Sequence, residues 1–371
     1  MMSMDKRYHN FFTLLRYALK VDDVPVPVMS EEEWNAVYLT ARKQTVTGVV
    51  YQGVKTLPDQ LRPPKTLLLT WAVEAERIAE MNKVLTNACR ELTLLFGRKG
   101  RRTAILKGQA NAMLYPEPLS RQPGDVDIWV EGGKDNVTQL LDSMGLQYHL
   151  AYHHAHLTKP LCGAHVEVHF RPSSGNRNPL TNRHLQKVLE KEILKSKMTT
   201  QEFVAPTLRF ALIMQMAHIQ RHFLASGLGL RHLTDYFMLL KRGNGDVTED
   251  ELRRMGLRKC AGAVMWVMGS LFGLERAKMI CPPDEQRGRQ MLEAVLAEGN
   301  FGHYDGSREA GPWQRLFHGR KRRMAMFTFN PAEAVWLEMK FWKAIIETIP
   351  QRIKARSWSL ADAERRKGGR T

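Results

Sequence analysis

Two aspartates stand two residues apart in Pro123-Gly124-Asp125-Val126-Asp127-Ile128-Trp129-Val130, and a glutamate follows in His165-Val166-Glu167-Val168-His169-Phe170. Both runs alternate in the manner of β-strands, which send successive side chains to opposite faces. Asp125 and Asp127 therefore share one face while Val126 and Ile128 pack beneath the other. Adjacent carboxylates repel and lose hydration, so such a pair requires a compensating cation or proton. Mg2+ suits the task because it takes hard oxygen ligands and enters a site together with substrate phosphates, with Mn2+ as an alternative. If the two strands are neighbours, all three carboxylates converge on a metal site suited to phosphoryl transfer.

The elements that must position these carboxylates begin just upstream. Thr103-Ala104-Ile105-Leu106-Lys107 reads as a short apolar strand, and Gly108 opens a helix over 109–115 that ends before Pro116. Backbone N–H groups at that helix start, with Lys107 beside them, form a corner suited to an anion. Further along, strand 125–130 leads to a helix over 134–144 closed by Gly145, then to strands near 147–158 and 163–170. That order predicts a small mixed sheet with helices on one side.

The succession Leu106-Lys107-Gly108, Tyr115-Pro116, Arg121, Gly124-Asp125-Val126-Asp127-Ile128 and Val166-Glu167-Val168-His169-Phe170 resembles the uncharacterised nucleotidyltransferase family, within the polymerase-beta-like nucleotidyltransferase superfamily. The resemblance covers about residues 100–240. It implies transfer of a nucleoside monophosphate from ATP or another nucleoside triphosphate to a hydroxyl-bearing acceptor, with release of pyrophosphate. Better-known members of the superfamily carry a Gly-Ser pair where this chain has Lys107-Gly108, so Lys107 is expected to take over part of the phosphate binding.

A second polar group lies in the helices that follow. His218 and His222, four apart, share a helix face, and a helix after Gly229 presents Arg231, His232 and Asp235. Similar His and Asp positions recur in the resembling family. A His pair at this spacing lacks the intervening Glu of a His-Glu-x-x-His zinc site. These residues read as a hydrogen-bonded network joining the helices, with Arg231 reaching a phosphate. Arg121 and Arg171 flank the carboxylate strands and suit bidentate contact with a triphosphate. Among His149, His153, His154, His156, His165 and His169, only His169 is expected at the site, on the same strand face as Glu167. The others are expected as solvated strand positions.

The remaining chain bounds the architecture. With 371 residues and 43% hydrophobic content, it can fill about two domains. The expected class is α+β: a small mixed-sheet nucleotidyltransferase core at 101–175, an N-terminal helical subdomain at 1–100, a helical domain at 176–300 and a basic amphipathic tail at 301–371. In the first hundred residues, Ser30-Glu31-Glu32-Glu33 supplies a helix start followed by Trp34, Val37, Tyr38 and Ala41 at helical spacing. A longer helix is expected over 66–98. No secretory signal or membrane-spanning run is evident, and four scattered cysteines imply neither a zinc knuckle nor a disulfide framework, so a reducing cytoplasm is expected.

Charge is uneven, at +17 overall, with 15 basic against 7 acidic residues in 301–371. The tail holds Arg320-Lys321-Arg322-Arg323, an apolar stripe through Trp336, Phe341, Trp342, Ile345, Ile346 and Ile349, and Arg365-Arg366-Lys367. Packing of that stripe on the body is the favoured expectation. Contact with nucleic acid or the inner face of a membrane is the alternative. The acceptor, whether sugar, lipid-linked group, protein or RNA, is not specified by these residues. Two competing classes are a catalytically silent nucleotide-binding scaffold and an RNA-modifying, toxin-like transferase.

Overall fold

The computed structural model describes residues 6–21, 25–225, 227–299 and 326–355. Four helices come first: α1 (Lys6–Ala18), α2 (Glu31–Lys43), α3 (Thr47–Thr56) and α4 (Lys65–Arg98). Ser30 caps α2 reciprocally with Glu33, satisfying two backbone donors at the helix start. Trp34, Val37, Tyr38 and Ala41 are buried along one face, as the spacing predicts. Helix α4 starts directly after Pro63-Pro64 and runs for 34 residues. Its first half packs on α3, and its second half places Leu85, Cys89, Leu92 and Phe96 in the core beneath the sheet.

The central segment comprises β1 (Thr103–Ile105), α5 (Gln109–Ala112), β2 (Val126–Val130), α6 (Gly133–Ser143), β3 (Tyr148–Leu150), β4 (His154–Leu157) and β5 (Val166–His169). These strands form one mixed sheet in the order β1-β2-β5-β4-β3, in which only β2 and β5 run parallel. The expected neighbour relationship between the carboxylate strands is therefore present. Helix α5 is shorter than the expected 109–115, because Leu114 N–H and Tyr115 N–H bond three residues back, to Asn111 and Ala112, tightening the chain before Pro116.

The expectation of helices on one side of the sheet is corrected: helices cover both. Ile105, Val126, Ile128, Val130, Val166 and Val168 meet α4 and α6 on one face. Ala104, Leu106 and Trp129 join a second core with helices from both ends of the chain. All five residues of β2 are buried, as a strand with a parallel partner and two covered faces requires.

After the sheet come α7 (Pro179–Ile193), a two-stranded ribbon of β6 (Lys197–Met198) and β7 (Val204–Ala205), then α8 (Leu208–Ala225), α9 (Leu230–Arg242), α10 (Glu249–Arg254), α11 (Arg258–Phe272), α12 (Glu285–Glu298) and α13 (Pro331–Ala355). Helix α8 is apolar almost all round, which fits its position in the interior. The start of α13 is anchored by buried Glu333, which accepts hydrogen bonds from Arg177 N–H at 2.7 Å and Asn178 N–H at 3.3 Å. Farther along, Trp342 and Ile346 of the expected stripe are exposed, as is neighbouring Met339, so this part of the stripe does not pack on the body. The basic runs 320–323 and 365–367 lie outside the described residues. Among the described residues, no helix is long and apolar enough to cross a membrane, and all four cysteines are free.

Candidate phosphoryl-transfer site

The site is built on cross-strand register. Asp127 on β2 lies directly opposite Glu167 on β5, and Glu167 lies opposite His156 on β4. His169, two residues on, is opposite His154. Because directly paired residues share a face, register alone gathers these groups at one rim of the sheet. Helices α8 and α9 face that rim across a cleft of about 470 Å³, within the usual range of ligand pockets, ~300–1,000 Å³. Lys107, Asp125, Asp127, Glu167, His169, His218, His222 and Arg231 all line it. A separate cavity of about 550 Å³ near α1 and α3, with Lys20, Lys55 and Glu117 in its wall, has no comparable convergence of carboxylates.

Positive charge already occupies the space between the carboxylates. Lys107 Nζ lies 2.6 Å from Asp127 Oδ2, and His169 Nε2 donates to Asp127 Oδ1 at 3.0 Å while lying 3.4 Å from Glu167 Oε2. Burial pushes the Asp127 carboxyl up, but Lys107 and His169 outweigh it and hold Asp127 below the usual carboxylate range. Burial opposes charge on His169, yet its two carboxylate partners raise its pKa. Asp125 is different: Asp127's charge and its own burial raise its pKa. Among the described residues, Asp127, Glu167 and His169 bring ligand atoms within 4.8 Å of one another, whereas Asp125 belongs to no such set. A buried carboxylate in register with a second one, both held by cationic side chains, fits a divalent cation chemically. Asp127 and Glu167 would hold it, with Asp125 at the rim.

The other expected phosphate contacts fall in different places. Gly108, at φ +63°, turns the chain from β1 into α5 in a conformation that L side chains rarely adopt. In the single turn of α5, the N–H groups of Ala110, Asn111 and Ala112 already bond to the carbonyls of Lys107 and Gly108. Any anion at this corner would therefore depend chiefly on the Lys107 ammonium. Arg121 is buried and gives its fork to Asp235, Nε to Oδ1 at 2.8 Å and Nη2 to Oδ2 at 2.7 Å. Tyr115 also donates to Asp235 Oδ1, at 2.7 Å, so this trio joins the segment before β2 to α9. Arg231 reaches Pro123 O at 3.4 Å, while its buried Nε has no hydrogen-bond partner among the described residues. Arg171 lies outside the cleft, against exposed Tyr152.

Imidazoles form the wall opposite the carboxylates. The rings of His218, His222 and His232 lie 4.3 to 5.6 Å apart. Burial, then the charge of Lys107 and Arg231 among other neighbours, lowers all three below the usual imidazole value, His222 to about 4. Sequence reading missed the convergence of His153, His154 and His156 near Glu167. His154 and His156 share a face, as alternation predicts, but only the antiparallel β4–β5 register brings them opposite the site. His153 lies just before β4, free of strand alternation, and its ring contacts both His154 and His169. The cluster of histidines in the sequence was the available signal; the pairing register was not.

The α+β chain thus sets strand-borne carboxylates before a cationic, helix-walled cleft. This chain belongs to the uncharacterised nucleotidyltransferase family, whose model matches residues 30–273. No curated protein matches the chain significantly. The match runs from α2 through the sheet to the end of α11, wider than the 100–240 over which the sequence resemblance is evident, and leaves α12 and α13 outside.

Proposed function

We propose that the protein transfers a nucleoside monophosphate from a nucleoside triphosphate to a hydroxyl-bearing acceptor, with Mg2+ assistance and release of pyrophosphate. The observation that carries this reading is the register pairing of Asp127 with Glu167 at the floor of a cleft that also holds Lys107 and Arg231. When bound, Mg2+ neutralises phosphate charge and supports in-line displacement at the α-phosphate. Asp127 and Glu167 would supply its carboxylates, and Asp125 would extend the negative rim. Lys107, beside Asp127, would serve the phosphates as a point charge. Arg231 has donors to offer from the opposite wall. The alternative role for Glu167, in place of holding the ion, is to accept a proton from an acceptor hydroxyl.

The test is incubation of wild-type and Asp125→Asn/Asp127→Asn protein with labelled ATP, CTP, GTP and UTP, Mg2+ and cell extract. Pyrophosphate and label transfer are followed together. Transfer that depends on both aspartates supports the reading and identifies the acceptor class. Mg2+-dependent nucleotide binding without turnover favours a nucleotide-binding scaffold instead. A second reading, an acceptor on an anionic lipid surface, draws on the exposed Met339, Trp342 and Ile346 of α13 and the basic excess of 301–371. Label recovered in lipid rather than in RNA or protein would favour it.

A further inference from the structure

His154, His156 and Glu167 converge outside the Asp127 position. His154 Nε2 lies 3.4 Å and His156 Nδ1 3.5 Å from the same oxygen, Glu167 Oε1. Glu167's other oxygen, Oε2, points to His169 on the Asp127 side. The three ligand atoms all lie within 4.8 Å of one another. Charge-assisted hydrogen bonds are shorter, ~2.7–2.9 Å. A spacing near 3.4 Å is instead what a tetrahedral ion with ~2.0–2.2 Å bonds imposes between neighbouring ligand atoms.

Orientation agrees. His154 Nδ1 lies 3.1 Å from His153 Nε2. If His154 donates through Nδ1, its Nε2 lone pair is turned toward Glu167, the arrangement that outer partners impose on metal-binding imidazoles. His156 is the most exposed of the three and leaves the position open to solvent.

We infer that His154, His156 and Glu167 form a second cation site, for a borderline divalent transition metal of the zinc class, in which Glu167 bridges toward the Asp127 position. Two imidazoles and one carboxylate suit such an ion and not magnesium, which takes oxygen ligands. Three protein ligands leave a fourth position for water. The ion fixes one oxygen of Glu167 and leaves the other for the magnesium position. This assignment concerns metal binding alone and stands apart from nucleotide transfer.

The full chain, stripped with a chelator, is titrated with Zn2+ against a chromophoric competitor and with Co2+ as an absorption probe. One equivalent of Zn2+ per chain, with tetrahedral Co2+ absorption, is expected for the wild type. The Asp125→Asn/Asp127→Asn protein should retain both. His156→Ala, at a partly exposed position that need not disturb folding, should weaken Zn2+ by at least roughly 100-fold, as should His154→Ala. Absence of stoichiometric Zn2+ from the wild type would overturn the site. So would undiminished binding in both histidine variants, or loss of binding in the aspartate variant, which would place the ion at Asp127. No nucleotide enters the measurement, so failure of the transfer reading leaves this result unchanged.

Discussion

The Lys107 ammonium lies 2.6 Å from Asp127 Oδ2, at a carboxylate that the functional reading assigns to a cation. The two cations compete for one oxygen. Lys107→Met should therefore lower the Mg2+ concentration needed for nucleotide binding, while raising KM for the triphosphate through loss of a phosphate contact. Mg2+ titrations of nucleotide binding and of initial rates measure the two effects separately. An unchanged Mg2+ requirement would remove Lys107 from the competition.

Asp127→Asn should abolish transfer with the fold retained, since Asn keeps the shape and can still accept from His169. Circular dichroism checks the fold, and pyrophosphate release checks the chemistry. Turnover retained in this variant would remove Asp127 from the metal site.

Arg121 and Asp235 are both buried and pair through two parallel bonds. Arg121→Ala leaves Asp235 buried without its cation and should cost ~3–5 kcal/mol in urea unfolding. Arg121→Met with Asp235→Leu should recover much of that loss. If Arg121 instead served mainly as a phosphate contact, the single variant would raise KM with little change in stability.

The neutral imidazole wall fixes the sign of a pH effect. Burial and neighbouring cations hold His222 at about 4, below the ordinary value of ~6.5. The unfolded chain therefore takes up this proton first, and its contribution to stability is full above ~6.5 and lost as pH falls toward 4. Melting temperatures measured from pH 7.5 to 4.5 should fall more steeply for wild type than for His222→Gln. Parallel curves would contradict the assignment.

Glu333 joins α13 to the chain before α7 through two backbone N–H groups. Glu333→Ala leaves those donors without their carboxylate and should cost ~1–3 kcal/mol. Hydrogen exchange at Arg177, Asn178 and the first turns of α13 should accelerate, while the β2–β5 amides remain protected.

Local rules made much of the frame legible. The Ser30 cap, Trp34-Val37-Tyr38-Ala41 spacing and Pro63-Pro64 break mark α2 and α4, and alternation marks β2, β4 and β5. Each depends on neighbours within a few residues along the chain. Bonds three residues back, which end α5 early, and the burial of both faces of β2 depend on what packs from elsewhere.

Residue types and local periodicity specify which side chains can do chemistry: the Asp125-Asp127 pair, Glu167, Lys107 and the histidines, each placed on a face by its own strand or helix. Which of them meet is set by long-range pairing and packing. Parallel pairing of β2 with β5 sets Asp127 opposite Glu167, and antiparallel β4 adds His156 and His154, because register is a relation between distant segments that alternation within one strand does not contain. The same holds for Arg121, whose guanidinium suits phosphate in sequence but is turned to Asp235, 114 residues away, where a buried carboxylate needs its charge.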